Sequence, residues 1–213
     1  MYDLAQIRRE YTLHSLDEKS IMPNPFRQFE KWFNEALEAK VLEPNAMNLA
    51  TVSENNRPAS RIVLLKGFTE QGFTFFTNYQ SSKAKELHVN PYCALTFFWV
   101  ELERQVRIEG TVERITASES DEYFNTRPRE SRIGAWASPQ SSVIASRKIL
   151  EERYKSVEKK FERSETIPRP KQWGGYLAKP FLMEFWQGRS SRLHDRIQYT
   201  LMDGAWKINR LAP

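Results

Sequence analysis

From Gln105 to Glu113 the chain alternates without a break. Gln105, Arg107, Glu109, Thr111 and Glu113 fall on one side of an extended segment, and Val106, Ile108, Gly110 and Val112 on the other. Period-two patterning of this kind marks a strand with one buried face. The stretch RQVRIEGTVERI therefore demands sheet partners. Its polar face, dense in hydrogen-bonding side chains, is either solvated or the lining of a site.

Partners are available on both sides of it. AMNLATVSE and SRIVLLKGF are separated by the turn-rich ENNRPA, and GFTFFTN follows TEQG; the spacing predicts an antiparallel meander. Ile62 to Leu65 are apolar at consecutive positions, which predicts cover on both faces of that strand. YCALTFFWV reads as another buried strand, and YLAKPFLMEFWQG as a later one. IQYTLMDGAWKINRL is a hairpin centred on Asp203-Gly204, a type I′ signal. Four helical stretches lie between these runs. PFRQFEKWFNEALEAK has Asn24 as N-cap and Pro25 in its first turn, with Phe26, Phe29, Phe33, Ala36 and Leu37 on one face. SSKAKELHVN is capped by Ser81 or Ser82 and stops before Pro91. SESDEYFNTR and a long helix through SSVIASRKILEERYKSVEKKFE complete the set. Six or seven strands at hairpin spacing predict a mainly β (α+β) fold, an antiparallel barrel with peripheral helices. Residues 25–213 form its single domain, and residues 1–24, broken by IMPNP, form an N-terminal arm.

Several function classes drop out. The eight glycines are scattered, with no dinucleotide or P-loop fingerprint. His14, His88 and His194 have no paired spacing, and the one cysteine, Cys93, sits in an apolar run, so no metal site is expected. The N-terminus lacks an apolar core of signal-peptide length, and no run approaches the ~18–20 apolar residues of a membrane span. A cytoplasmic location is expected. The net charge of +5 favours anionic ligands.

The positive groups are where chemistry concentrates. Arg61 and Lys66 bracket IVLL, five apart, which on a regular strand sends them to opposite faces. Lys83 follows two serines at a helix start, a natural phosphate cradle. Tyr123, Arg127 and Ser131 recur at intervals of four, with Pro128 ending the helix near Thr126. GRSSRLHDR packs Arg189, Arg192 and Arg196 around His194, with Asp195 offsetting part of the charge and Trp186 just upstream to wall a planar ring. Each patch alone is ordinary surface. Together they describe two phosphate sites and a planar-ring pocket on a barrel.

The ordered set RIVLLK, FFTN, SSKA, ERQVRIEG, YFNTRPRESRIGAWASPQSS, EFWQG, RLHDR and WKINRLAP resembles the pyridoxine/pyridoxamine 5′-phosphate oxidase family. The resemblance runs from RREY in the arm to the last residue. RPRESRIGAWAS and the EFWQG…RLHDR pair are its most specific parts. It implies a split β-barrel that binds flavin mononucleotide (FMN), and a homodimer with the flavins in clefts between subunits. It also implies oxidation of pyridoxine or pyridoxamine 5′-phosphate to pyridoxal 5′-phosphate. Molecular oxygen takes up the electrons as H2O2, and the amine substrate releases NH3.

By the same resemblance, Arg61, Ile62, Val63, Leu64, Leu65, Lys66, Phe76, Thr77, Ser82, Lys83, Gln140 and Ser141 bind the flavin, chiefly around its phosphate and ribityl chain. Gln105, Trp186 and Arg196 lie near its ring. Lys66, Tyr123, Arg127 and Ser131 hold the substrate phosphate. Arg192, Leu193 and His194 lie over the substrate ring, with Arg192 and His194 catalytic and His194 either a proton acceptor or an orienting group. Arg8, Arg9, Glu10 and Tyr11 belong to an arm that folds over the substrate. Arg192, His194 and Arg196 alternate and are expected on one side of an extended segment, while Arg189 is expected to be solvated. The family often has Ser-Arg-Lys where this chain has Ser81-Ser82-Lys83, and Phe76 stands where a tyrosine is common. Two phosphates at roughly −1.5 to −2 each account for the basic excess without nucleic acid. The competing readings are another flavin-dependent split barrel with a different substrate, a basic nucleic-acid-binding barrel, and a structural dimer module.

Overall fold

The computed structural model describes every residue except Met1, Tyr2, Arg8 and Arg9, so these two arginines of the arm lie outside the described residues. Nine strands form one antiparallel sheet among the described residues: β1 (Ala46–Val52), β2 (Pro58–Leu64), β3 (Gly67–Thr69), β4 (Gly72–Asn78), β5 (Tyr92–Trp99), β6 (Arg104–Arg114), β7 (Trp173–Gln187), β8 (Asp195–Met202) and β9 (Ala205–Leu211). The order is β2-β1-β5-β6-β7-β4-β3, with the β8–β9 hairpin also attached to β7. The sheet curls until β2 touches β4, although the two are not hydrogen-bonded neighbours.

The expected meander is instead two hairpins, β1–β2 and β3–β4, that leave on opposite sides of the sheet. β2 stops at Leu64, and β4 pairs with β7, far away in sequence. Local spacing reveals hairpins but not which strand a hairpin then joins. The alternation of β6 is obeyed: Val106, Ile108 and Gly110 are buried, and Gln105, Arg107 and Glu109 are half-buried on the other face. The Asp203-Gly204 turn has φ of 51° and 81°, as a type I′ turn requires.

Helix α1 (Pro25–Glu38) plugs one opening of the curled sheet. Asn24 Oδ1 accepts from the Phe26 N–H at 2.8 Å and Pro25 fills the first turn. Phe29 is fully buried, with ring centroids of Phe73, Phe68 and Phe97 at 4.9, 4.9 and 5.1 Å. Trp32 and Ala36 extend this face, whereas Leu37, expected on it, is 52% exposed because the stripe follows positions 29, 32 and 36.

IVLL departs from expectation. Leu65 is buried and Val63 half-buried, but Ile62 is 65% exposed. Ile62 pairs with Asn48 and Leu64 with Ala46, so both project from the sheet face opposite the core. Phe98 and Met202 are exposed on that same face. The chain alone leaves this face uncovered.

Between β6 and β7 lie α3 (Ala117–Thr126), α4 (Arg129–Ala137) and α5 (Arg147–Lys160). The last starts at Arg147 and not within SSVIAS, and α4 was not foreseen. Pro128 breaks α3 from α4, and Ser138-Pro139 ends α4. Among the described residues no helix is long and apolar enough to cross a membrane.

Phe29→Ala removes the ring that joins α1 to three strands. It is expected to cost about 3–5 kcal/mol, typical of a fully buried phenylalanine. Urea denaturation with unchanged slope and a lower midpoint would report it; a midpoint within error of the parent's would show that α1 does not hold the core.

Candidate functional site

Helix α2 (Ser82–Val89) begins the first part of the site. Ser81 is its N-cap residue, yet its buried Oγ makes no hydrogen bond. Lys83, one residue into the helix, reaches Thr77 Oγ1 and Gln140 Oε1, each at 3.4 Å. Burial pushes the Lys83 ammonium below its ordinary pKa, and the nearby Arg61 adds to that. An orphan hydroxyl, free helix N–H groups and a desolvated cation make an anion cradle.

Arg61, Ile62, Val63, Leu64, Lys66, Phe76, Thr77, Lys83, Tyr123, Arg127, Gln140 and Trp173 line one cleft of about 310 Å³. Arg61 and Lys66 therefore share a cleft and do not face apart. β2 ends at Leu64, and the chain turns before Lys66, which breaks the alternation. Phe76 stacks on Tyr123 at 3.9 Å and on Trp173 at 5.3 Å, forming a flat aromatic wall. The Arg127 guanidinium lies 4.7 Å over Trp173, and its Nη1 is buried with no partner. Burial lowers its pKa from the ordinary value. This is a second cation held ready for an anion.

The second part lies at the other end of β7, beyond Trp186. Tyr11, Trp186 and His194 cluster, with ring centroids 5.7 Å apart for Tyr11–Trp186 and 4.6 Å for Trp186–His194. A Cβ on Gly188 would meet Tyr11 Cγ at 2.7 Å, so this approach needs glycine. Ile7, Glu10, Tyr11, Arg189, Ser191, Arg192 and His194 line a cavity of about 670 Å³. Arg192 is not on an extended segment. Ser190 to Arg192 form a 3-10 turn in which Ser191 and Arg192 have φ of 55° and 60°. Each left-handed non-glycine residue costs roughly 1–2 kcal/mol, a strain that collects at functional sites.

Arg189, expected to be solvated, orders this cluster. Its backbone N–H donates to His194 Nδ1 at 3.1 Å, and its side chain pairs with Asp195 at 3.3 Å. Gln105, Trp186 and Arg196 stand in one register row across β6, β7 and β8. Behind them the buried Glu184 accepts from Arg196 Nε at 2.8 Å and Arg107 Nη2 at 2.6 Å. Burial alone would raise the Glu184 pKa, but the two guanidinium hydrogen bonds outweigh it and hold it below the ordinary value.

The arm is pinned beside this cluster. Glu103 accepts from the N–H groups of Thr12 and Leu13, and Asp195 from that of Leu16. Arg210 binds Glu18, Asp195 and the Leu16 carbonyl, and holds the Glu18 carboxyl down at about 2.

The expected residues thus fall into two groups. Ser82 and Ser141 are exposed and Ser131 half-buried, and none of them lines the 310 Å³ cleft. Leu65 is buried in the core. Leu193 is 69% exposed. Trp173, Glu184 and the Arg189 backbone were missed. Only Glu184 left a trace: it shares the alternation of Trp186, but its arginine partners come from strands whose register sequence alone does not set.

The two groups sit towards opposite ends of β7, near Trp173 and Trp186, roughly 40 Å of strand apart. Their cavities share no lining residue.

Comparison with known proteins bears on the family and the fold. Residues 33–161 match the family model described as pyridoxamine 5′-phosphate oxidase, and residues 173–213 that of the pyridoxine 5′-phosphate oxidase C-terminal dimerisation region. A pyridoxine/pyridoxamine 5′-phosphate oxidase of Burkholderia ambifaria is 57% identical over 216 residues, covering 100% of both chains. One from Nostoc sp. is 56% identical over 211 residues, covering 99% of this chain and 98% of the relative. Among solved structures, PhzG from Burkholderia lata, in complex with tetrahydrophenazine-1-carboxylic acid, superposes with a TM-score of 0.88 at 28% identity, covering 94% of this chain and 99% of its own. A pyridoxamine 5′-phosphate oxidase-related, FMN-binding protein from Nostoc punctiforme shares the fold at a TM-score of 0.70 and 19% identity, covering 91% and 99%. The chain belongs to the pyridoxamine 5′-phosphate oxidase family and is an oxidoreductase with that family's split-barrel fold.

Proposed function

We propose that this chain is an FMN-dependent oxidase that converts pyridoxine or pyridoxamine 5′-phosphate to pyridoxal 5′-phosphate, with O2 as acceptor, H2O2 as co-product and NH3 released from the amine. One observation carries the reading. A single cleft holds two sets of anion donors, Arg61 with Lys83 and Lys66 with Tyr123 and Arg127. In the second set Arg127 Nη1 is buried without a partner, and next to the first, at the start of α2 but outside the cleft lining, Ser81 Oγ is buried and unpaired. One phosphate on the cofactor and one on the substrate, each carrying roughly −1.5 to −2, match these two needs.

When bound, the flavin supplies the redox chemistry, accepting hydride from the substrate's C4′ and passing the electrons to O2. The protein's residues orient and polarise. Lys66 and Arg127 fix the substrate phosphate, and Phe76 and Tyr123 give a flat wall beside it. With both phosphates gripped, an encounter between two molecules becomes an oriented contact. Arg196, held by Glu184, and Gln105 in the same row are suited to stabilise negative charge on a reduced ring. Because His194 Nδ1 accepts from the Arg189 N–H, the neutral ring carries its proton on Nε2. The edge it presents is a donor, which favours orienting the substrate over taking its proton.

The site is completed by a second copy of the chain. Arg192 and His194 cannot reach the cleft of their own subunit along β7, and the sheet face bearing Ile62 and Phe98 lacks cover. The match of residues 173–213 to a dimerisation region supports a homodimer in which each subunit's His194 cluster meets the partner's cleft. The pinned arm, with Glu10 and Tyr11, then covers the substrate. The likeness to PhzG favours a second reading, the same frame acting on a different substrate.

The purified protein is expected to be yellow and to consume O2 with either phosphorylated substrate; a flavin-loaded sample inert to both would leave the second reading. Arg192→Ala and Arg127→Ala should each lower turnover by about a hundredfold while retaining flavin. Unfolding the two variants together and refolding them as a mixture should then restore about a quarter of parental turnover, because a mixed C2 dimer regains one intact site. No recovery would mean that both arginines serve the site of their own chain.

A further inference from the structure

Arg61 has its own internal carboxylate. Its Nη2 donates to Glu86 Oε2 at 2.9 Å, and its Nη1 donates to Thr51 Oγ1 and, at 3.2 Å, to the Leu49 carbonyl. Thr51, itself buried, donates its hydroxyl to the same Glu86 oxygen. Glu86 and Arg61 are little exposed, with side chains at 15% and 22%. Glu86 stands on α2 three residues after Lys83, hence on the same side of the helix. It therefore lies close to both cations of the cradle. Ala84 and Leu87, fully or nearly buried, fix the helix against the core, so Glu86 cannot follow Arg61 if Arg61 moves.

We infer that Glu86 is a positioning residue and built-in counter-anion for the cofactor's phosphate site. This rests on the reading of that cleft as the FMN site. Glu86, Thr51 and the Leu49 carbonyl hold the two terminal nitrogens of Arg61 and fix the direction in which the guanidinium meets a phosphate. The carboxylate also offsets the repulsion between Arg61 and Lys83 before any phosphate arrives. That same negative charge opposes the phosphate once it is bound. The cradle then has a net charge of about +1 from Arg61, Lys83 and Glu86, against roughly −1.5 to −2 on the monoester. Ser82 adds no charge. The expected consequence is a cofactor held in a defined pose but at less than the affinity the two cations alone would give.

The orienting and the charge effects separate in two substitutions. Glu86→Gln keeps an acceptor for Arg61 and removes the charge, and Glu86→Ala removes both. Full-length protein stripped of flavin is titrated with FMN and, separately, with riboflavin, which has no phosphate, and binding is read from quenching of flavin fluorescence. Glu86→Gln should bind FMN several-fold more tightly than the parent. Glu86→Ala should bind it about tenfold more weakly than Glu86→Gln, the order of one lost charge-assisted contact. Riboflavin affinity should be the same in all three. Equal FMN affinity in the two variants, weaker binding by Glu86→Gln than by the parent, or parallel shifts for riboflavin would each overturn the role of Glu86. A parent that binds neither flavin would instead overturn the reading of the cleft.

Discussion

Strand β7 has two partners along one edge, and the molecule is arranged around that fact. From Trp173 to Ala178 it pairs with β4, and from Leu182 to Gln187 with β8; β6 runs along its other edge from Tyr176 to Gln187. A register shift between Glu109 and Gly110 on β6, opposite Pro180, lets the strand bend between the two pairings. Pro180 has no N–H to give a ladder, and a Cβ on Gly110 would meet the Lys179 carbonyl oxygen at 2.2 Å. The bend is therefore set by side chains that cannot be exchanged freely. On one side of it hang the phosphate-type cleft and its aromatic wall. On the other hang the Trp186–His194 cluster, the row of Gln105 and Arg196, and the anchored arm.

Charge in this protein is sorted by whether a carboxylate answers it. Arg61 has Glu86, Arg107 and Arg196 share Glu184, and Arg210 has Glu18 and Asp195. Among the described residues Lys66, Lys83, Arg127 and Arg192 have no carboxylate within ion-pair distance, and all four line the two cavities. Arg127, half-buried and with a buried Nη1 that has no partner, is a cost to the folded chain and a reserve for a ligand, since a buried charge wants pairing; Lys66 and Arg192 are exposed and stay open to anions. The answered arginines are fixed in the direction in which they can meet an anion, and the unanswered cations are free to turn towards one.

Much of this was legible in the sequence, and the limits follow from physics. The β6 alternation, the Asn24 cap, the α2 start and the Asp203-Gly204 turn are local, so local residues specify them. The barrel class followed from hairpin spacing. What failed was non-local. The pairing of β4 with β7 joins segments about a hundred residues apart, and no turn signal records it. The exposure of Ile62 was not legible because an apolar residue on the outer face of a sheet and one facing the core look alike in one sequence. RLHDR reads as extended from Arg192 because arginine is not a residue that favours positive φ, yet Arg192 has φ of 60°.

The site residues show the same division more sharply. Lys66, Tyr123, Arg127, His194 and Arg196 were named as candidates from residue type and resemblance, and the structure places the first three on one cleft, His194 on a second cavity and Arg196 in the Trp186 row, a grouping the sequence does not show. Arg61 and Lys66 were expected to face apart and share one cleft; Arg192 and Arg196 were expected on one line, but Arg192 sits in a strained turn and Arg196 in β8. Supporting groups fared worst. Glu86 and Glu184 each act through a partner from another element, and the Arg189 N–H through His194 across the turn of its own loop, and nothing in their immediate sequence marks them. A charge that works by holding another charge becomes visible only when the register of the sheet and the packing of α2 are known. Those contacts decide whether a cation is a solvated surface group, a fixed donor or an open anion site.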